Sequence, residues 1–235
     1  MASMNVCVLG ASGGLGASIA DALDAAGHHV LRCYRRRIGG QADPSATDGS
    51  GEAFIDTSAL INAEASLDRL FKHTSTQCVI NAIGLGRSTL SPQNQIPIPT
   101  TELSLQEWEE IMYLNLKLPI LITELAYKHQ LELVIHIGSA LTARGMHGTA
   151  MAQAYSASKR GLFDFCEIIN QRDDDEFTTA CIAPGLVQTR MTDGSGLRML
   201  FDGELKPETV AAWTLAVLDN QVTPLSIILP LPAAH

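Results

Sequence analysis

Near its beginning the sequence reads Val6-Cys7-Val8-Leu9-Gly10-Ala11-Ser12-Gly13-Gly14-Leu15-Gly16. Four apolar residues open this segment, as expected of a strand that is buried on both faces, and a helical pattern follows over residues 15–26. Glycines at positions 10, 14 and 16 let the backbone between the two elements turn tightly and approach a ligand closely. Free amides at the start of the helix can then bind an anion such as a pyrophosphate. The alternative is a glycine-rich turn without a ligand.

The rest of the chain alternates short apolar runs with helical patterns. Further strands are predicted over residues 29–33, 54–55, 78–80, 133–137, 178–183 and 225–229, and further helices over residues 60–71, 105–129, 152–170 and 207–218. Buried strands joined by helices predict a parallel sheet that is covered on both sides. We therefore expect an α/β protein: a single-domain, doubly wound Rossmann fold with a seven-stranded parallel sheet over residues 1–235. Ligands bind such sheets beyond the carboxyl ends of the strands.

The composition limits the class of protein. Hydrophobic residues make up 46% of the 235 residues, which is enough for a buried core and excludes a disordered chain. The formal net charge of −9 argues against nucleic acid or an anionic membrane as a partner. Five cysteines without paired spacing indicate reduced thiols, and no His, Cys or carboxylate cluster predicts a metal site. The first basic residue is Arg32 and no apolar run could span a bilayer, so we expect a soluble, cytoplasmic protein without a signal peptide.

A candidate catalytic pair lies in the predicted helix over residues 152–170, which contains Tyr155-Ser156-Ala157-Ser158-Lys159. Tyr155 and Lys159 are four residues apart and therefore share one helix face. An ammonium group near a phenol favours the phenolate, so we expect Lys159 to lower the pKa of Tyr155 and prepare it for proton transfer. Ser139 ends the predicted fifth strand, where its hydroxyl could polarise a substrate carbonyl. The alternative for Ser139 is a helix or turn cap.

The Gly-x-x-x-Gly-x-Gly turn and the Tyr-x-x-x-Lys pair together resemble the short-chain dehydrogenase/reductase superfamily. The resemblance implies an NADP(H)-dependent oxidoreductase that reduces a ketone or aldehyde to an alcohol, or runs the reverse reaction, with Tyr155 as general acid/base. It also implies that Lys159 holds the nicotinamide ribose. Asn115 would hold a water molecule that links Lys159 to solvent, and the alternative for Asn115 is a hydrogen-bonded amide in the core.

The residues after the second predicted strand indicate which dinucleotide binds. Tyr34 stands where NAD-preferring members of the superfamily usually carry Asp, and Arg35, Arg36 and Arg37 follow it. A carboxylate would repel a 2′-phosphate, whereas guanidinium groups bind one. We therefore expect NADP(H), with Arg35 as the first contact and Arg36 as the second. The alternative is a basic face in solvent.

Other cofactor contacts are implied by the resemblance alone. Asp56 matches the position that holds the adenine ring, although an Asp at a strand end is often a turn residue. Asn81 would bridge neighbouring strands, and Gly84 would let the adenosine ribose approach. Backbone groups of Val187 would bind the carboxamide, and Thr189 would reach the carboxamide or the pyrophosphate. The complete set of expected cofactor-binding residues is Gly10, Ser12, Gly13, Gly14, Leu15, Gly16, Arg35, Arg36, Asp56, Asn81, Gly84, Tyr155, Lys159, Pro184, Gly185, Val187 and Thr189.

Two alternatives of other classes remain at this stage. An NADP(H)-sensing regulatory protein would use the same fold without catalysis, but such proteins commonly lack part of the Tyr-Lys set. An epimerase or dehydratase of the extended branch would need more residues after Thr189. The superfamily resemblance implies a homodimer or homotetramer. A candidate pocket that contains Met146, Met151, Leu186 and Met191 favours a partly apolar carbonyl or alcohol substrate, and the loops over residues 85–100 and 140–151 could contact it.

Overall fold

The computed structural model describes residues 3–35, 51–86, 103–140, 153–172, 177–189, 192, 203–220 and 227–229. Its strands are β1 (Asn5–Leu9), β2 (His29–Arg35), β3 (Glu52–Ile55), β4 (Cys78–Asn81), β5 (Leu133–Ile137), β6 (Thr178–Pro184) and β7 (Ile227–Leu229). They form one sheet in the order β3-β2-β1-β4-β5-β6-β7, and every neighbouring pair is parallel. The strand order changes direction between β1 and β4. The predicted doubly wound parallel sheet is therefore confirmed, and its switch point lies beside β1.

The helices are α1 (Gly14–Ala25), α2 (Leu60–His73), α3 (Leu105–Met112), α4 (Leu118–Lys128), α5 (Gln153–Ile169) and α6 (Pro207–Leu218). Buried side chains of α1 and α6 pack on one face of the sheet, and those of α2 and α4 pack on the other. Ile19 and Val210 represent the first layer, and Leu67 and Ile122 the second; all four are fully buried. Burial of each such side chain contributes about 1.5–3 kcal/mol, so these two layers hold the sheet rigid beneath its carboxyl edge.

The single long helix predicted over residues 105–129 is interrupted. A π-helical segment spans Tyr113–Lys117 between α3 and α4, and the N–H of Leu118 bonds a carbonyl five residues back. Pro119 has no N–H to offer the carbonyl of residue 115, and its ring crowds that carbonyl, so the hydrogen-bond ladder widens here. Because the segment carries Asn115, the wide turn sets where this side chain enters the core.

The buried polar residues of β4 and β5 pair with each other. Asn81 donates a hydrogen bond to Nδ1 of His136 over 3.1 Å and so bridges the two strands, as predicted. Nε2 of His136 lies 2.9 Å from the Thr123 hydroxyl, so both ring nitrogens have partners. Burial, with a smaller effect of the Lys159 charge, lowers the pKa of His136 to about 3 and keeps the ring neutral. His136 is therefore a hydrogen-bonded histidine of the core.

Within the described ranges, no helix is both long enough and apolar enough to cross a bilayer. All five cysteines are free and buried. The Cys7 and Cys33 sulfur atoms approach to 3.3 Å on neighbouring strands, where they pack as small hydrophobic side chains.

Candidate active site

A cleft of about 300 Å³ opens at the carboxyl ends of β1, β4, β5 and β6, beside the switch point of the sheet. Its walls are the turn after β1, the loops after β4, β5 and β6, and the start of α5. The expected site residues that line it are Ser12, Gly13, Gly14, Leu15, Gly16, Gly84, Ser139, Tyr155, Lys159, Pro184, Gly185, Val187 and Thr189. Residues that are far apart in the sequence therefore meet where doubly wound sheets bind ligands.

The glycine turn has a shape that larger residues would destroy. Gly10 has φ +86°, and a Cβ on Gly16 would lie 2.2 Å from the carbonyl oxygen of Gly10. Gly10 does not line the cleft. Its N–H donates a hydrogen bond to the Cys33 carbonyl over 3.0 Å, which helps to fix the shape of the turn. Helix α1 starts at Gly14 without a side-chain cap and without an acidic residue in its first turn. The uncapped amides can therefore receive an anion, and the turn fits a dinucleotide pyrophosphate.

Lys159 is buried on the inner face of α5, with 3% of its surface exposed. Its Nζ donates a hydrogen bond to the Ile137 carbonyl over 2.8 Å, at the end of β5. Burial lowers the pKa of Lys159 to about 8, and the nearby thiol of Cys181 opposes the shift. Lys159 therefore keeps its proton at pH 7 and titrates only slightly above neutral pH.

The phenol of Tyr155 differs from the sequence-based expectation. We expected Lys159 to lower the pKa of Tyr155, but loss of hydration raises it above the ordinary value of 10. A hydrogen bond with Ser139 opposes this shift without reversing it. Desolvation thus outweighs the hydrogen bond with Ser139, and the phenol stays protonated at neutral pH.

Ser139 lies two residues after the end of β5 and is 8% exposed. The preceding Gly138 allows β5 and β6 to lie close together, because a Cβ there would lie 2.7 Å from the Cys181 sulfur. Ser139 therefore reaches the cleft beside Tyr155, the position that a group polarising a substrate carbonyl requires.

Asn115 is fully buried and holds the loop after β4. Its Oδ1 accepts a hydrogen bond from the Leu85 N–H, and its Nδ2 donates to the Leu85 carbonyl, each over 2.8 Å. A Cβ on Gly84 would lie 3.3 Å from Lys159 Nζ and 3.6 Å from Asn115 Oδ1. Gly84 was expected at the adenosine ribose, but it lies against Lys159 and Asn115, at the end of the cleft that holds the candidate catalytic groups.

The loop after β6 forms the opposite wall. A Cβ on Gly14 would lie 3.9 Å from the Thr189 side chain, so Thr189 faces the glycine turn across the cleft. The hydroxyl of Thr192 donates to the Val187 carbonyl over 2.6 Å and also lines the cleft. Sequence reasoning did not predict Thr192 as a residue of the site. Its position three residues after Thr189 is the only local feature of the sequence that could have indicated this role.

A sequence model of the family described as "short chain dehydrogenase" matches residues 4–198. The chain belongs to the short-chain dehydrogenase family. Members of this family are oxidoreductases that interconvert CH–OH and C=O groups with NAD(P), so this short-chain dehydrogenase is an enzyme of that class.

Named relatives resemble it at modest identity. The 3-oxoacyl-(acyl-carrier-protein) reductase of Escherichia coli (strain K12) is 26% identical over 192 residues, which cover 79% of this chain and 74% of that protein. The human dehydrogenase/reductase SDR family member 11 is 26% identical over 238 residues, covering 91% of this chain and 87% of that protein.

Solved structures share the fold. A short-chain dehydrogenase from Burkholderia cenocepacia J2315 in complex with NADP superposes with a TM-score of 0.74 at 21% identity, over 97% of this chain and 96% of that chain. A 3-oxoacyl (acyl-carrier-protein) reductase from Agrobacterium tumefaciens C58 with NADP bound has a TM-score of 0.75 at 19% identity, over 97% and 93%.

Some expected site residues of this short-chain dehydrogenase do not line the cleft. The Asp56 carboxylate accepts a hydrogen bond from the Ser58 N–H over 2.9 Å, which is the turn role named above as the alternative. Asn81 and Asn115 support the cleft from behind it. Arg35 ends β2, but its side chain lies outside the described residues, as does Arg36. Met146, Met151 and Met191 also lie outside the described residues, whereas Leu186 lines the cleft.

Sequence reasoning also missed an apolar part of the lining, made of Ala82, Ile83, Ile137 and Gly138, whereas Leu85, Gly86 and Ala140 lie in the two loops named above as possible substrate contacts. These residue types carry no chemistry that a sequence motif could reveal. Their places follow from topology, since each lies at or after the carboxyl end of β4 or β5.

Proposed function

We propose that this short-chain dehydrogenase is an NADP(H)-dependent oxidoreductase that reduces a ketone or aldehyde to an alcohol, or runs the reverse reaction. One observation carries the proposal. Ser139, Tyr155 and Lys159 line the same cleft as the uncapped glycine turn, so a polarising hydroxyl, a proton donor and a buried cation adjoin amides that can bind a pyrophosphate.

The preference for NADP(H) rests on the edge of β2. Tyr34 replaces a carboxylate there, and its hydroxyl donates a hydrogen bond to Glu52 over 3.0 Å, which engages the nearby acidic side chain. Three arginines follow in the sequence, and we assign Arg35 and Arg36 to the 2′-phosphate. The NADP named with the Burkholderia and Agrobacterium structures supports the same cofactor.

The chemistry that NADPH supplies when bound is a hydride for the substrate carbonyl carbon. Tyr155 donates a proton to the carbonyl oxygen as negative charge develops there, and the Ser139 hydroxyl donates a hydrogen bond to the same oxygen. The raised pKa of Tyr155 keeps the phenol protonated at neutral pH, which is the form a reduction needs.

Lys159 stabilises the phenolate that Tyr155 leaves behind. Its pKa of about 8 allows it to return a proton to Tyr155 near neutral pH, while the Ile137 carbonyl fixes its position. Asn115 holds the loop that carries Gly84 against Lys159. We propose that Asn115 also holds the relay water that the family resemblance implies.

A screen of NADPH oxidation over a panel of carbonyl compounds tests this function. Tyr155→Phe should lose at least about 100-fold in turnover, the usual contribution of a general acid, while NADPH binding stays within about twofold. Tyr127→Phe is the matched control, since Tyr127 lies on α4 and is 43% exposed. Full activity of Tyr155→Phe refutes the catalytic role, and NADPH binding without turnover of any carbonyl favours a cofactor-sensing protein.

The remaining expectations are also part of the proposal. We propose a single domain, a cytoplasmic location consistent with the five free thiols, and a homodimer or homotetramer. The exposed Ile168 on α5 offers apolar surface for such an assembly. Leu85, Leu186 and Ala140 in the cleft support a partly apolar substrate.

A further inference from the structure

Thr192 ties together the wall of the cleft that follows β6. Its hydroxyl lies 2.6 Å from the Val187 carbonyl and 2.9 Å from the Thr189 carbonyl, and it accepts a hydrogen bond from the Thr189 N–H over 3.1 Å. The Thr192 N–H donates to the Thr189 carbonyl over 3.0 Å. One side chain therefore satisfies backbone groups of both residues.

Among the described residues, two backbone hydrogen bonds hold the other edge of the same loop. The Leu205 N–H donates to the Leu186 carbonyl over 2.7 Å, and the Gln188 N–H donates to the Leu205 carbonyl over 2.9 Å. Backbone groups of an extended segment point alternately to its two edges, so residues 186 and 188 face Leu205 while residues 187 and 189 face Thr192. In the part of the chain that the structure describes, the hydroxyl of Thr192 takes the place of a neighbouring strand at the edge that it faces.

We propose that Thr192 is a positioning residue for the nicotinamide end of the cofactor. This inference rests on the proposed function and on the contact with the carboxamide that the family resemblance implies for the backbone of Val187. A carbonyl oxygen has two lone pairs, so Val187 can accept a hydrogen bond from Thr192 and a second one from the carboxamide NH₂. The Thr192 hydroxyl fixes the direction of that carbonyl before the cofactor arrives and removes part of the ordering cost of binding.

Two substitutions separate the hydroxyl from the shape of the side chain. Thr192→Val keeps the branched shape and removes the hydroxyl, whereas Thr192→Ser keeps the hydroxyl. We expect the NADPH dissociation constant, measured by nicotinamide fluorescence, to rise about tenfold in Thr192→Val and to stay within about twofold in Thr192→Ser. A tenfold change corresponds to about 1.4 kcal/mol, the size of one hydrogen bond.

Two probes show whether the effect is local. The fragment 2′,5′-ADP lacks the nicotinamide, so its affinity should be equal in Thr192→Val and the unchanged protein. The 3-acetylpyridine analogue of NADPH has a methyl group where the carboxamide has NH₂, so the Thr192→Val penalty should fall to within about twofold. Equal binding of 2′,5′-ADP also shows that the variant is folded.

The outcomes separate this inference from the proposed function. If the unchanged protein does not bind NADPH, the proposed function itself is wrong. If the unchanged protein binds NADPH and Thr192→Val binds it equally well, the role of Thr192 is overturned while the proposed function stands. Equal penalties for NADPH, 2′,5′-ADP and the acetylpyridine analogue also overturn the role, because they indicate a general disturbance of the cleft.

Discussion

Replacing Lys159 with methionine should stabilise the folded protein at pH 7 while it removes turnover. Lys159 is 3% exposed, and burial lowers its pKa from 10.5 to about 8. Since each pKa unit corresponds to about 1.4 kcal/mol, keeping this ammonium buried costs about 3 kcal/mol. Methionine removes that cost, but it leaves the Ile137 carbonyl without its hydrogen-bond donor, which destabilises the variant by about 1 kcal/mol. We expect a net stabilisation of about 2 kcal/mol.

The pH dependence identifies the cause. Below pH 8 both the folded and the unfolded chain carry the proton, so the cost of the buried charge is fully present. Between pH 8 and 10.5 the unfolded chain binds the proton and the folded chain does not, so the stability of the unchanged protein rises by about 1.4 kcal/mol per pH unit. The advantage of Lys159→Met should therefore shrink over this range, vanish about 1.5 units above pH 8 and become a deficit of about 1 kcal/mol above pH 10.5, where the lost hydrogen bond to the Ile137 carbonyl alone remains.

Urea unfolding at pH 7, 9 and 10 measures the difference, with Lys128→Met as a control on an exposed ammonium. The control should show little change in stability and retain activity, whereas Lys159→Met should lose at least about 100-fold in turnover. A Lys159→Met protein that is less stable than the unchanged protein at pH 7, or a stability difference that does not vary with pH, would refute the claim that function keeps a costly charge in place.

Two further perturbations test the surroundings of the cleft. His136 has a pKa of about 3 in the folded chain and about 6.5 in the unfolded chain, so its contribution to stability is complete above pH 6.5 and falls by about 1.4 kcal/mol per pH unit below it. Urea unfolding from pH 7 to 4 should therefore show that the stability of His136→Leu falls less steeply with pH than that of the unchanged protein. An equally steep fall in both proteins would contradict this. Gly84→Ala would place a Cβ 3.3 Å from Lys159 Nζ and displace the ammonium group, which should lower kcat about tenfold with little change in Tm. An unchanged kcat would show that catalysis tolerates this displacement.

Local patterns made the main elements of this fold predictable. The glycine turn at residues 10–16 and the Tyr155–Lys159 pair depend on spacing within one turn or one helix, which the sequence contains in full. The alternation of apolar runs with helical patterns then places both at one edge of a parallel sheet. The interruption by the π-helical segment was also open to prediction, because Pro119 removes a donor from the helix interior.

Other features depend on contacts that only the folded chain makes. The pKa of Tyr155 is set by competition between burial and nearby groups, and the sequence could not show that burial wins. The place of Gly84 against Lys159 depends on how far Asn115 draws the loop after β4 into the core. Thr192 acts on Val187 through a turn whose shape no motif encodes.

The most direct test of the central claim is a crystal structure of the protein with NADP⁺. We expect the pyrophosphate on the amides at the start of α1 and the nicotinamide between the loop after β6 and the side chains of Ser139, Tyr155 and Lys159. A saturated crystal in which the cleft contains no dinucleotide, or in which the nicotinamide lies beyond the reach of the Tyr155 hydroxyl, would contradict the account.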